Sequence, residues 1–206
     1  MKSNIQNYVV FDLETTGLQG DKHAILEIAA CAFDNELNDL AEFDSGIMSI
    51  YDNREITEGA LGANGITRDQ IKNGIDPKGV ADEFFRYLGK LKKGNSKVVL
   101  VGQNCDKFDI PFLMNFMDYF KKDLTQIVNV DFTIDTMRWA HVKYPESTNY
   151  KLGTLCEMNG VELTNAHRAI SDTRATKELV KTFIKSLRSE GKGEKEETKF
   201  RTTFQF

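Results

Sequence analysis

An α/β domain built on a mixed sheet is the fold class the sequence predicts, on three observations. Three apolar runs come early with only turn residues between them, so they read as strands of a meander. A short later run, KVVLVGQN, has the uninterrupted apolar character of a central strand covered on both faces. From there to Leu187, helix and strand patterns alternate, the order expected of a sheet with helices packed on it. At 206 residues the chain is long enough for one sizeable core.

The opening strands are read over Tyr8 to Leu13, Ile25 to Phe33 and about Leu40 to Ile50, with Gly, Asp and Asn in the turns. A loop-rich, partly helical stretch, TEGALGANGITRDQI, follows. Val80, Phe84, Leu88 and Leu91 then recur at helical spacing, which predicts a helix from Val80 to Leu91. After the central strand, DIPFLMNFMDYF reads as a helix with Pro111 in its first turn, where the missing N–H is not needed. NVDFTIDT supplies the last strand, and Asp135 is placed to cap a helix carrying Met137, Trp139 and Ala140. A short helix over Leu152 to Met158 stops at Gly160, and a long one runs from near Ala166 to about Leu187. Beyond it SEGKGEKEETK is too charged to order itself by burial. The domain is therefore expected over residues 1–188, with a charged linker and aromatic tail over 189–206.

Composition narrows the function classes. Hydrophobic residues at 40% and charged residues at 28% suit a water-soluble domain. No apolar stretch is long enough to span a membrane, and MKSNIQN lacks the apolar core of a signal peptide. Cys31, Cys105 and Cys156 lie in apolar settings without CxxC spacing, which fits buried thiols in a reducing cytoplasm. A net charge of −4 argues against coating nucleic acid along its length, which needs a broad basic field, but not against gripping a strand end.

The chemistry starts in YVVFDLETTG. A buried carboxylate costs several kcal/mol unless it is paired or binds a metal. Asp12 and Glu14, two apart on a strand, share a face with Val10, while Phe11 and Leu13 face the other way. A lone DxE at a strand end means little. Two further acids sit in suggestive places: Asp109, after the central strand at a helix start, and Asp172, in an apolar helix pattern of Ala169, Ile170, Ala175 and Leu179. Four acids at the ends of core elements make a metal-site pattern.

FDLETTG, NxxxFD and HxxxxD, in this order and spacing, resemble the three motifs of the DEDDh (DnaQ-like) 3′-to-5′ exonucleases, among them the proofreading epsilon subunit of bacterial DNA polymerase III. The likeness runs from about Tyr8 to Leu187 and includes ILEIAA, NGIT and NYKLGTLC. It implies a ribonuclease H-like fold with a mixed sheet of about five strands flanked by helices, and release of nucleoside monophosphates from a 3′ end. It also implies two divalent ions, Mg²⁺ with Mn²⁺ as the alternative, about 4 Å apart. By resemblance Asp12 bridges both ions, Glu14 and Asp172 complete the first, and Asp109 holds the second. Asp106 lies inside the second motif, but the match gives the metal role to Asp109.

His167 is the general-base candidate, since neutral imidazole with a pKa of about 6.5 suits proton removal near neutral pH. His23 and His141 are read as surface or capping residues. On one regular helix His167 and Asp172 would point about 140° apart, so His167 is expected on the loop or distorted turn entering the helix.

For substrate, Thr15, Thr16 and Gly17 are expected to form a tight turn whose amides meet the terminal 3′-hydroxyl or phosphate. In similar enzymes the residue at Leu18 wedges between the last two bases. Asn64 stands where many proofreading members carry His, Phe108 is placed to stack on a base or to join the core, and Asn104 and Lys151 complete the substrate set. Lys22, Lys107, Arg138, Lys151, Arg168 and Arg174 are candidates for phosphate contact, which is indifferent to base identity.

The expected partner is single-stranded DNA or a frayed DNA 3′ end. RNA is the alternative, and a silent end-binding accessory is a further one, against which stands the presence of all five motif residues. Phe200, Phe204 and Phe206 in KFRTTFQF suggest a tail that docks on a DNA polymerase or sliding clamp, or else a disordered end or a strand that pairs with a sheet edge of its own domain.

Overall fold

The computed structural model describes residues 6–164 and 168–190. Five strands form one sheet in the order β3-β2-β1-β4-β5, from β1 (Asn7–Thr15), β2 (Ile25–Asp34), β3 (Asp39–Asp44), β4 (Val99–Gly102) and β5 (Ile134–Asp135). The first three strands pair antiparallel as a meander, and β4 joins β1 in parallel with β5 parallel beyond it. The mixed sheet expected from the sequence is present.

Alternation along β1 divides the core. Val9, Phe11 and Leu13 face a cluster that includes Phe84 and Leu88 of α3 (Pro77–Leu91) and Phe112 and Phe116 of α4 (Asp109–Tyr119). Val10 faces the other way, joining Val99 and Val101 of β4 to Val180 and Ile184 of α7 (Ala169–Glu190). Asp12 and Glu14, in phase with Val10, are thereby directed to the α7 side.

Helix signals mostly fall where expected. α3 starts earlier than its apolar repeat, because Asp76 caps the amides of Lys78 and Gly79 and Pro77 takes the first position. Asp135 caps α5 (Thr136–Lys143), accepting from the Met137 amide at 2.9 Å. Gly160 closes α6 (Leu152–Asn159) at φ 64°, a conformation costly for a residue with a side chain. The loop-rich stretch contains two short helices, α1 (Glu58–Asn64) and α2 (Arg68–Lys72).

Two strands are shorter than expected. The third stops at Asp44, where the Gly46 amide turns back onto the Asp44 carboxylate at 3.0 Å, and Met48 instead bridges to Ile75. The last is reduced to Ile134–Asp135, because Asn129 accepts the Asp131 amide in a turn and Val128 pairs singly with Val98. The long helix starts, among the described residues, at Ala169. Residues 165–167, and with them His167, lie outside the described residues, as do 191–206 with Phe200, Phe204 and Phe206.

α7 is tied across the sheet to exposed β3. Lys181 donates to Asp39 at 2.5 Å, Lys177 pairs with the same carboxylate at 3.1 Å, and Arg174 clasps Glu42 at 2.5 Å. The three cysteines are free and buried. Among the described residues no helix is long and apolar enough to cross a membrane.

Candidate active site

Registered pairing of β1 with β4 ends at Val10–Val101, so the last residues of β1 run past the end of β4. Parallel strands leave such crevices at their carboxyl ends. α4 enters here with Asp109 as its first residue, and this buried carboxylate accepts from its own amide and from that of Leu13. From the opposite side α7 lays its first turn over β1 and β2, with the buried Thr173 hydroxyl donating back to the Ala169 carbonyl at 2.6 Å.

These placements gather the acids that the sequence singles out. Asp12, Glu14 and Asp172 can each offer an oxygen such that all three lie within 4.8 Å of one another, a spacing that suits a shared cation. Asp109 is the strongest electrostatic neighbour of Asp12. Burial, reinforced by repulsion from Asp109, Glu14, Asp172 and Glu27, raises Asp12 well above the ordinary carboxylate range. Burial and the charges of Glu27, Asp172 and Asp109 push Glu14 up to about 8, against a smaller pull from Arg168. Burial pushes Asp109 up to about 7 against its two backbone hydrogen bonds. Each carboxylate raises its neighbours' affinity for protons, and a divalent cation fits a cluster so short of positive charge.

Asp106 is otherwise engaged. It accepts from Thr133 Oγ1 at 2.5 Å and pairs with Arg138 at 3.0 Å, so the second motif contributes Asp109 alone to the cluster.

The turn after the acids is braced from several sides. Thr15 donates to the Gly17 carbonyl at 2.7 Å. The Thr16 hydroxyl donates to Glu55 at 2.5 Å and accepts from Ala24, and the Thr16 amide donates to the Ala24 carbonyl. The Thr16 amide and both hydroxyls thus brace the turn. Asn64 is likewise buried, donating to the Thr15 carbonyl at 3.2 Å and accepting from Ile66 at 3.0 Å. Leu18 projects from this frame with 82% of its surface exposed.

His23 corrects the surface assignment. It is buried beneath the turn, with Nδ1 accepting from the Gln19 amide at 3.2 Å. A Cβ on Gly17 would meet its ring at 2.1 Å. Gly17→Ala is therefore expected to cost about 1–3 kcal/mol in chemical denaturation. Adding His23→Ala should recover part of that loss by opening the space; an alanine variant as stable as the wild type would show that the turn yields freely. His141 is exposed, its ring tilted 37° against that of Tyr150 with centroids 3.6 Å apart.

Phe108 is half-buried against Phe112 at 5.0 Å, on the core side of its two readings. Asn104 takes a left-handed backbone, φ 59°, and its amide donates to Asp135 at 3.0 Å. Lys22, Lys107 and Lys151 are exposed. Three of the proposed phosphate contacts are in ion pairs instead: Arg138 with Asp106, Arg168 with Glu27 at 2.8 Å and Arg174 with Glu42.

Sequence reasoning passed over Glu27. It is fully buried opposite Glu14 in the β1–β2 register. The signal was available, since an acid inside ILEIAACAF poses the same question as Asp12 in YVVFDLE.

The RNase T exonuclease family model matches residues 9–180. The chain belongs to this exonuclease family. Among its relatives, it is 31% identical to the PolC-type DNA polymerase III of Bacillus subtilis over 188 residues, 90% of this chain and 12% of the polymerase. The corresponding Lactococcus lactis protein is 33% identical over 186 residues, 90% of this chain and 10% of that one. The chain thus spans about a tenth of the length of these relatives. Its fold is that of exonuclease I, which is ribonuclease H-like. E. coli exonuclease I in complex with a dT13 oligonucleotide superposes with a TM-score of 0.72 at 21% identity, covering 90% of this chain and 42% of that one. Its zinc-bound form with single-stranded DNA gives 0.73 at 22%, over 89% and 41%.

Proposed function

We propose that this exonuclease-family domain removes nucleoside monophosphates from the 3′ ends of single-stranded or frayed DNA, in a reaction that depends on two divalent cations. The observation that carries the reading is the convergence of Asp12, Glu14 and Asp172, oxygens within 4.8 Å of one another, with Asp109 electrostatically next to Asp12. DNA is favoured as substrate because the relatives are DNA polymerases and the similar structures hold DNA oligonucleotides.

Asp12, Glu14, Asp109 and Asp172 would hold the two cations; Mg²⁺ is the proposed ion, with Mn²⁺ able to replace it. Such a pair would supply charge neutralisation at the scissile phosphate and activation of water near neutral pH. Asp12, Glu14 and Asp109 must shed their protons to bind, which their raised pKa values make a pH-dependent step. His167, proposed from the sequence, takes the proton of the attacking water. Gly17 and Leu18 hold the last nucleotides, with Leu18 as an apolar wedge on a braced turn. Asn104, Phe108 and Lys151 flank the strand, while Thr15, Thr16 and Asn64 shape the turn. The tail bearing Phe200, Phe204 and Phe206 docks on a polymerase or clamp, and the buried free thiols suit the cytoplasm.

The test is a time course on matched 5′-labelled single-stranded DNA and RNA with Mg²⁺, beside His167→Ala. A ladder shortening from the DNA 3′ end, much slower in the variant, is expected. A ladder on RNA alone would move the domain to RNA processing, and no product from either would overturn the enzymatic reading.

A further inference from the structure

Glu27 has no part in the proposed ligand set, yet it is completely buried a strand away from Glu14. A lone acid placed there would repel every ligand candidate around it. The structure gives it a different employment. One carboxylate oxygen accepts from Arg168 Nη2 at 2.8 Å, the other has no hydrogen-bond partner among the described residues, and the Ala169 amide lies near enough to favour the charged form. Ala169 is the first residue of α7, whose opening amides have no partner within the helix. Glu27 therefore sets a negative charge, from the neighbouring strand, against the positive end of the α7 dipole. The Arg168 carbonyl in turn accepts from the Ser171 and Asp172 amides at 2.8 and 3.1 Å. A continuous path of charge-assisted and backbone hydrogen bonds thus leads from Glu27 through Arg168 to the backbone of Asp172.

We propose that Glu27 is a positioning residue: through Arg168 and the Ala169 amide it fixes the first turn of α7 and so holds the Asp172 carboxylate in register with Asp12 and Glu14. The inference rests on the metal-binding reading of that trio. It also reassigns Arg168, which is a strut and not a phosphate contact. Both sides of the pair can be tested without unfolding the domain. Glutamine replaces Glu27 without changing its shape, and the Arg168 side chain, 47% exposed, stays hydrated when its partner is neutralised.

The experiment titrates Mn²⁺ alone into the metal-stripped full chain by electron paramagnetic resonance, for wild type, Glu27→Gln and Arg168→Gln. Hydrogen exchange is followed on the same samples. Positioning predicts that both variants lose Mn²⁺ affinity, by about 10–100-fold as for other groups that orient metal ligands. A pure field effect predicts opposite signs, since Glu27→Gln removes a negative charge beside the site and Arg168→Gln a positive one. Faster exchange is expected at the Ser171 and Asp172 amides, about tenfold or more, with Lys181 to Ile184 unchanged. Tighter Mn²⁺ binding by Arg168→Gln, or wild-type affinity in both variants, would overturn the proposal. So would exchange accelerated uniformly along α7, which would mark a general loss of stability. If the wild type binds no Mn²⁺, the metal reading itself fails, and unchanged exchange at Asp172 would then remove the anchoring role as well.

Discussion

Asp12→Asn is expected to abolish DNA shortening while making the metal-free protein more stable. Asp12 is raised by burial and by four neighbouring acids, Asp109, Glu14, Asp172 and Glu27. As the proposed ligand common to both cations, its loss removes the charge that holds them together, and stabilisation of several kcal/mol corresponds to at least about a thousandfold in rate. The same substitution relieves repulsion among acids that the fold forces together, a strain tolerated at functional sites. The amide keeps the shape of the side chain, so packing against α7 is preserved. Two measurements on one preparation decide the matter: single-turnover cleavage with Mg²⁺, and the thermal midpoint in chelator. The midpoint should rise by about 2–6 °C for a chain of this size. Activity above about one per cent of wild type, or a lowered midpoint, would show that Asp12 is an ordinary core residue.

The pH dependence of stability should reveal the cluster before any substrate is added. Glu14 moves from an ordinary 4.5 to about 8 on folding, and Asp109 from 3.8 to about 7. Across that window the folded protein keeps protons that the unfolded chain has released, so stability falls as pH rises. The contribution is intact below the unfolded values and is lost as pH passes the folded ones. Metal-stripped protein should therefore melt at a lower temperature at pH 8 than at pH 5, by about 5 °C or more. Mg²⁺ should matter little at pH 5, where protons occupy the carboxylates, and most at pH 8, where it replaces them. Chelated and Mg²⁺ melting curves that keep a constant separation from pH 5 to 8 would contradict the shifted carboxylates.

What the sequence disclosed and what it hid separate along physical lines. Strand β1 was legible because burial of Tyr8 to Leu13 and the charge of Asp12 and Glu14 cannot coexist without a reason. Helix α3 was legible from the apolar stripe of Val80, Phe84, Leu88 and Leu91, though not its start at Asp76, and α5 because Asp135 carries the capping chemistry before Met137. Strand ends were not. The stop at Asp44 depends on a turn made by its own side chain, and nothing in DSGIMSI announces that Met48 will pair with Ile75. Among site residues the carboxylates could be found one by one, since each sits where a charge is expensive. The polar residues of the turn could not be sorted the same way. Thr15, Thr16 and Asn64 look equally ready to meet a ligand or the backbone, and only their partners at Gly17, Glu55 and Ile66 decide. Arg168 was ambiguous for the same reason: a guanidinium in sequence gives no sign that it will pair with Glu27.

The outer strand β3 has a further consequence. An exposed six-residue edge offers a row of unpaired amides and carbonyls, the usual template on which partly folded chains grow into one another. Here that edge reads Asp-Leu-Ala-Glu-Phe-Asp, and three basic side chains of α7 reach over to Asp39 and Glu42. A second strand approaching from solvent would meet fixed charges before it found a hydrogen bond. The opposite edge, β5, is two residues long and too short to seed an addition. Intermolecular sheet growth is thus discouraged at both margins, and the domain should refold cleanly from denaturant at concentrations where an uncharged edge would aggregate.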